Sequence, residues 1–218
     1  MSSELKTNKI SPATGTTTTL GDASDVFQLP ASAEIDIASG ATLDVNGTID
    51  LTGATKTGFP AAGLTDASMW RLTTSFTGDA DPVSSNLAEE TSNDYGRLGS
   101  AMTESSGVFT FPSTGIWFIQ FTHSIGVSSG LGRYNWVDIY VGTSGGFENA
   151  STTTANVHNV SEWDYSSSVT EFILDVTDVS VNTCKFQITK SNSSVETRGS
   201  PLADNRMTGI LFMKLGDT

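Results

Sequence analysis

Apolar residues fall along this chain in two different rhythms, with the change near residue 70. Beyond that point, β-branched and aromatic residues gather in the runs Gly107–Phe111, Ile116–Val127, Tyr134–Val141, Val169–Val176, Cys184–Thr189 and Met207–Leu215. Clusters of Ser, Gly, Asn and Asp separate these runs, and the pattern predicts strands joined by turns. No segment holds ten or more residues of 3.6 periodicity, and Asp81–Asp94 has room for one short helical turn at most. The spacing predicts an all-β antiparallel sandwich or jelly roll over residues 70–218. Phe109, Trp117, Phe121, Phe172, Phe186 and Phe212 are its expected core. His123 alternates onto the face of Phe121 and Ile125, so it is expected to be a hydrogen-bonded core or intersubunit histidine, whereas His158 falls on a surface strand.

The first third reads differently. All four Trp and all four Tyr lie at or after position 70, and only Phe27 and Phe59 precede it. Large rings supply much of the apolar area of a core, so residues 1–69 are not expected to form one alone. Residues 1–30 mix polar turns with scattered apolar positions, among them Leu5, Ile10, Leu20 and Phe27. Residues 31–53 carry a degenerate repeat, Ile35-Asp36-Ile37, Leu43-Asp44-Val45 and Ile49-Asp50-Leu51, followed by Gly40, Gly47 and Gly53. In an extended segment each triplet places both apolar side chains on one face and Asp on the other. Three such rungs make a stripe too narrow to bury itself in one chain. Winding several copies about a common axis would close it, as in a trimeric β shaft; the alternative is a flexible linker with accidental periodicity. Residues 54–69, with Gly58, Pro60 and Gly63, read as a neck.

Charge and composition narrow the range of functions. Lys and Arg number 11 against 24 Asp and Glu, a net charge of −13, and charged residues are 16% of the chain, against about 25% in an average domain. This balance excludes a surface built to neutralise nucleic-acid phosphates and disfavours unaided docking on anionic membranes. The acidity is shared by both parts, so aromatic content and not charge marks the boundary. No apolar run is long enough to insert in a membrane. The opening Met1-Ser2-Ser3-Glu4-Leu5-Lys6 lacks the basic-then-apolar pattern of a secretory signal. Cys184 is the single cysteine, so no intrachain disulfide can form.

Catalytic and metal chemistry finds little support. Gly142-Thr143-Ser144-Gly145-Gly146 matches a Gly-x-Ser-x-Gly elbow, but no helix pattern follows it, and a Ser/Gly hairpin is expected. One Cys and two separated His give no zinc spacing. Gly78-Asp79-Ala80-Asp81-Pro82 offers oxygens to Ca²⁺ but lacks the ligand ladder of a calcium loop, so no cofactor is required. Glu89-Glu90 is a carboxylate pair in a polar segment, expected to be solvated. The expectation is a binding protein and not an enzyme. Its candidate contacts lie in the segments 128–133, 142–154, 162–168 and 191–205, read as long loops. Arg133 and Tyr134, close to Trp136, and Trp163 with Tyr165 combine rings and polar groups suited to sugar or protein. For Trp136 and Trp163 a core or intersubunit position is the competing expectation.

Two resemblances bear on identity. The stretch Gly107-Val108-Phe109-Thr110-Phe111-Pro112-Ser113-Thr114-Gly115-Ile116-Trp117-Phe118 resembles the C1q/TNF-like jelly roll, whose run is Gly-x-Phe-x-x-Pro-x-x-Gly-x-Tyr. Met207-Thr208-Gly209-Ile210-Leu211-Phe212 is similar to that family's closing strand. Trp117 stands where Tyr is usual, and no collagen-like tract precedes the head. The resemblance implies a compact homotrimer. Separately, Lys6-Thr7-Asn8-Lys9-Ile10-Ser11-Pro12-Ala13-Thr14-Gly15-Thr16 with Leu20-Gly21-Asp22 resembles the leading segment of tail-fibre and virion structural proteins of marine bacteriophages. That implies a virion anchor at Leu5, Ile10, Leu20 and Phe27, with partners among tail or capsid proteins and a host cell-surface glycan or protein. Location in a virion assembled in the host cytoplasm would follow. A capsid decoration, a tail adaptor without receptor binding, and a secreted lectin-like C1q-domain protein are the alternatives.

Overall fold

A computed structural model describes residues 35–46, 48–49, 63–91, 96–160, 162–202 and 205–218. The chain divides into two units, Met1–Thr57 and Gly58–Thr218. In the first, Ile35, Ile37, Leu43, Val45 and Ile49 are exposed, and the described residues form a turn at Ser39-Gly40 but no strand. Among the described residues of this segment the single chain therefore forms none of the expected rungs. A stripe of alternating residues has no ladder partner until another surface is brought against it. Leu51 and the anchor positions Leu5, Ile10, Leu20 and Phe27 lie outside the described residues.

The described residues of the second unit form twelve strands: β1 Ala67–Leu72, β2 Phe76–Thr77, β3 Leu87–Glu89, β4 Thr103–Ser105, β5 Val108–Thr110, β6 Gly115–Val127, β7 Leu131–Thr143, β8 Gly146–His158, β9 Asp164–Val176, β10 Thr183–Lys190, β11 Glu196–Thr197 and β12 Gly209–Gly216. One antiparallel sheet, called A here, has the order β2-β11-β6-β12-β1-β3, with β9 along the other side of β6. Sheet B has the order β4-β5-β10-β7-β8. The long strands change sheets as a jelly roll does: β5 in B, β6 in A, β7 and β8 in B, β9 in A, β10 in B and β12 in A.

Strict period-2 alternation makes the core. Along β6, Trp117, Ile119, Phe121, His123 and Ile125 are buried, and the residues between them point to the other face. Opposite them stand Val137, Ile139 and Val141 of β7 and Cys184, Phe186 and Ile188 of β10. Phe109 is at the centre, with ring centroids 5.2 Å from Trp70 and Phe212 and 5.6 Å from Phe186. A smaller cluster of Ile125, Val127, Ala155, Val157 and Val195 fills one end. Between the two clusters runs a polar layer. The ring of His123 lies 3.1 Å from the Thr197 hydroxyl. Asn135 donates to the Ala155 carbonyl, and the Lys190 ammonium donates to the Val195 carbonyl at 2.8 Å.

The Pro112-to-Gly115 segment carries the chain from sheet B to sheet A, and the Trp117 indole N–H donates to the Ser113 carbonyl at 3.1 Å across that corner. The β4–β5 hairpin turns on Ser106 and Gly107, both at positive φ (53° and 84°). This is the left-handed pair that a two-residue turn needs to match strand twist.

Five expectations change. Residues 142–154 and 162–168 are mostly strand, not loop: β8 and the first half of β9 are Ser/Thr-rich edge strands whose backbones each pair with one neighbour. The loop expected at 128–133 shortens because β7 begins at Leu131. The neck ends early, since Ala67 and Ser68 already pair with β12. Among the described residues of 81–94 there is a strand, β3, and no helix. Phe172 is only partly buried, packed against the rim of the core from edge strand β9.

Replacing Phe109 by Ala should destabilise the folded chain by about 3–5 kcal/mol in a urea titration. Val160→Ala, at a residue 81% exposed, should stay within about 0.5 kcal/mol.

Candidate functional site

With the inward residues consumed by the core, recognition is left to the two outer faces of the sandwich and its ends. These faces differ. On sheet A the register sets Phe118 beside Ile173 and Met213, Thr122 beside Val169, and Met69 beside Leu211. Ile173 is 56% exposed, and Val169 and Leu215 are exposed as well. Phe118, Glu171, Phe172 and Ile173 line a shallow depression on this side. Its principal polar feature is the Gln120 amide donating to the Glu171 carboxylate at 2.7 Å. An apolar face of this extent on a sheet is costly to leave against water.

The four candidate contact residues do not form one site. Tyr165 lies on the outer face of sheet A, opposite Gly126. It stacks on Trp163 (6.1 Å, 10° between planes), and the Arg198 guanidinium sits 4.2 Å from its ring centre. Gly126 makes this possible: a Cβ there would lie 2.9 Å from the Tyr165 ring and 3.2 Å from the indole of Trp163. Arg133 and Tyr134 belong to the other sheet. The pairing of β7 with β8 slips between Gly132 and Asn135, and this bulge leaves both side chains exposed. Tyr134 stacks on Trp136 with centroids 5.2 Å apart. Trp136 and Trp163 are both exposed in the single chain, so neither is a core residue.

The other candidate groups are largely engaged by the protein itself. Thr143 and Gly146 flank a two-residue β7–β8 hairpin turn, so Ser144 sits on no strand-to-helix elbow. The Asp79 carboxylate accepts from the Lys190 backbone N–H at 2.8 Å, and Asp81 pairs with the Lys185 ammonium at 2.7 Å. No group of three or more His, Cys, Asp or Glu fit to hold a metal occurs among the described residues. Glu89 and Glu90 are not the solvated pair expected. Alternation turns them to opposite faces, Glu89 pairs with Arg97 at 3.3 Å, and Glu90 is buried against Arg71. Burial pushes the Cys184 thiol up, and Cys184 has no cysteine partner. His158 is exposed at the end of β8. Among the described residues no helix is long and apolar enough to cross a membrane.

His123 is buried and unpaired in charge. Burial, and to a smaller degree the Lys190 cation, lower its pKa to about 3. It is therefore a neutral structural histidine, which the alternation of β6 foreshadowed. The groups that sequence reasoning missed are Asp138, Asn149, Thr152 and Gln187, which gather with Trp136 and Tyr140 in a groove on the outer face of sheet B. Asp138 stands within the run Trp136-Val137-Asp138-Ile139-Tyr140, where an acid in an alternating strand was the available signal.

No protein-family model and no curated protein matches the chain. Among solved structures it is similar to murine APRIL. Against the pH 8.5 structure the identity is 14%, with 69% of this chain and 98% of that chain covered and a TM-score of 0.44. Against the pH 8.0 and pH 5.0 structures the identities are 15% and 13% at the same coverage, with TM-scores of 0.42 and 0.40.

The lowered histidine pKa makes a sign prediction. The unfolded chain takes up this proton near pH 6.5 and the folded chain only near pH 3, so stability falls as pH drops between these values. From pH 7 to 4.5 the wild type should lose about 2–3 kcal/mol more than His123→Gln, read from urea midpoints.

Proposed function

We propose that the chain is a homotrimeric attachment protein of a bacteriophage particle, with a leading segment that docks on tail or capsid and a sandwich head that meets the host surface. The observation that carries self-association is the apolar outer face of sheet A. One chain leaves Phe118, Val169, Ile173, Leu211 and Met213 facing solvent, and a stable contact needs about 800 Å² from each partner. The face spans strands β9, β6, β12 and β1. Threefold and not twofold closure is supported by the Gly107–Trp117 resemblance, and by the triplets at Ile35, Leu43 and Ile49, which need further copies to cover them.

Placement in a virion is supported by the likeness of residues 6–22 to phage fibre segments. The adhesive mechanism is multivalency: three heads on each fibre, and several fibres on each particle, convert weak contacts into lasting adsorption. The net charge of −13 favours a neutral glycan or a protein over phosphate-rich lipopolysaccharide, because like charges repel at close approach.

Light scattering on the full chain should give three times 22.9 kDa for the wild type. Ile173→Asp, which sets an unpaired charge in the apolar face, should give a mass near one copy; a monomeric wild type would refute the assembly. Particles treated with head-specific antibody should adsorb to host cells at least about tenfold less, and unchanged adsorption would refute attachment. Imaging particles that carry a tag on this chain separates tail from capsid.

A further inference from the structure

The outer face of sheet B carries a second surface with a different chemistry. Register places Trp136, Asp138 and Tyr140 of β7 in one row. Thr189, Gln187 and Lys185 of β10 lie beside them on one side, with Thr152 and Asn149 of β8 on the other. Within this area a shallow groove of about 350 Å³ is lined by Trp136, Asp138, Tyr140, Asn149, Thr152, Gln187 and Thr189. Trp136 and Tyr140 stand four residues apart on one strand, about 13 Å. The floor between them is polar.

Asp138 is the unusual member. It lies in the middle of a sheet on the face turned from the core, yet its exposure is 6%. Its Oδ1 accepts from the Asn149 amide at 3.0 Å and from the Thr152 hydroxyl at 2.5 Å. Among the described residues none donates to Oδ2, and Asp138 is one of the residues that line the groove. A carboxylate held by two donors on one oxygen and by none on the other keeps acceptor capacity for a hydroxyl of a ligand. Gln187 and Thr189 add donors and acceptors at the opposite wall. Trp136 is 46% exposed and held by Tyr134, which offers a fixed ring face at one end.

The groove also selects by charge. No cation lines it. The nearest, Lys185, is paired with Asp81 at 2.7 Å and sits 5.1 Å from the centres of the Tyr140 and Phe147 rings. A phosphate, sulfate or uronate would meet the Asp138 carboxylate with no cation among the described lining residues to offset it. A ligand with many hydroxyls, no charge and flat C–H faces meets every group present. Ring stacking on an aromatic wall with a few fixed polar partners is how such pockets orient a guest.

We propose that this groove, built by Trp136, Asp138, Asn149, Thr152 and Gln187, binds a neutral oligosaccharide, with one sugar ring stacked on Trp136 and a sugar hydroxyl donating to Asp138. The proposal deepens the attachment reading by naming a receptor class. Its chemistry stands apart from the trimer, because the groove lies on the sheet opposite the apolar face.

The test is an array of immobilised neutral and acidic oligosaccharides probed with the full chain, with the mass of each sample measured in parallel. Saturable binding to neutral oligosaccharides is expected, with acidic ones at background. Trp136→Ala and Asp138→Asn should each weaken it at least about tenfold, and Leu202→Ala, an exposed change elsewhere, should leave it intact. Thermal melts of the variants separate unfolding from lost contact, and Gln187→Ala serves if Asp138→Asn does not fold. The inference is overturned if no neutral oligosaccharide binds, if acidic ones bind equally, or if a folded Trp136→Ala chain binds as wild type. Binding by a monomeric chain would uphold the groove while refuting the trimer, and a trimer without sugar binding would do the reverse.

Discussion

The sandwich depends on one knot of aromatic rings. Phe109 from sheet B touches Trp70 and Phe212 from sheet A and Phe186 from its own sheet. Phe121 closes on Phe186 at 4.9 Å, and Phe111 links Trp117 to Phe212. These residues come from β1, β5, β6, β10 and β12 and the corner after β5, so strands far apart in sequence meet at one point. Rings bury more area per residue than aliphatic side chains, and edge-to-face contacts add directional preference. Pairings of such sequence separation fold slowly, since loop closure precedes the reward of contact. Until the knot forms, neither sheet has anything to bury against.

Period-2 alternation then gives each strand two duties. The inward half of β6 and β7 is committed to packing, and the outward half is free to vary. Sheet A spends that freedom on Phe118, Val169, Ile173 and Met213; sheet B spends it on Trp136, Asp138, Gln187 and Thr152. One fold thus carries an apolar face and a polar-aromatic one back to back, on two sheets packed about 10 Å apart. The polar layer of His123, Asn135, Lys190 and Thr197 sits between them and divides the interior into two clusters.

The strands rich in β-branched and aromatic residues were legible from sequence because burial and propensity agree there. β6, β10 and β12 lie within a residue or two of the runs that announced them. β8 was not legible: Gly146–His158 is an edge strand of Ser, Thr and Asn, and its order comes from pairing with β7 and from contacts such as the 2.7 Å hydrogen bond of Ser151 with Thr170. Ala67 and Ser68 were missed for the same reason, being small residues held by a partner strand and not by their own preference. The aromatic candidates were legible as a cluster of rings and polar groups, but neither the exposure of Trp136 and Trp163 nor the separation onto opposite sheets was, since both depend on the order of strands. The groove on sheet B was invisible because its polar members come from three strands that only topology unites.

Cys184 lies flat within the core, sealed from solvent, with its thiol held in the protonated form by burial. A thiol in that state is a poor nucleophile and cannot reach a second molecule. Cys184 therefore does not link the folded molecule to another through sulfur, whether the surroundings are oxidising or reducing. The protein can be built in one redox climate and put to use in another without any covalent adjustment.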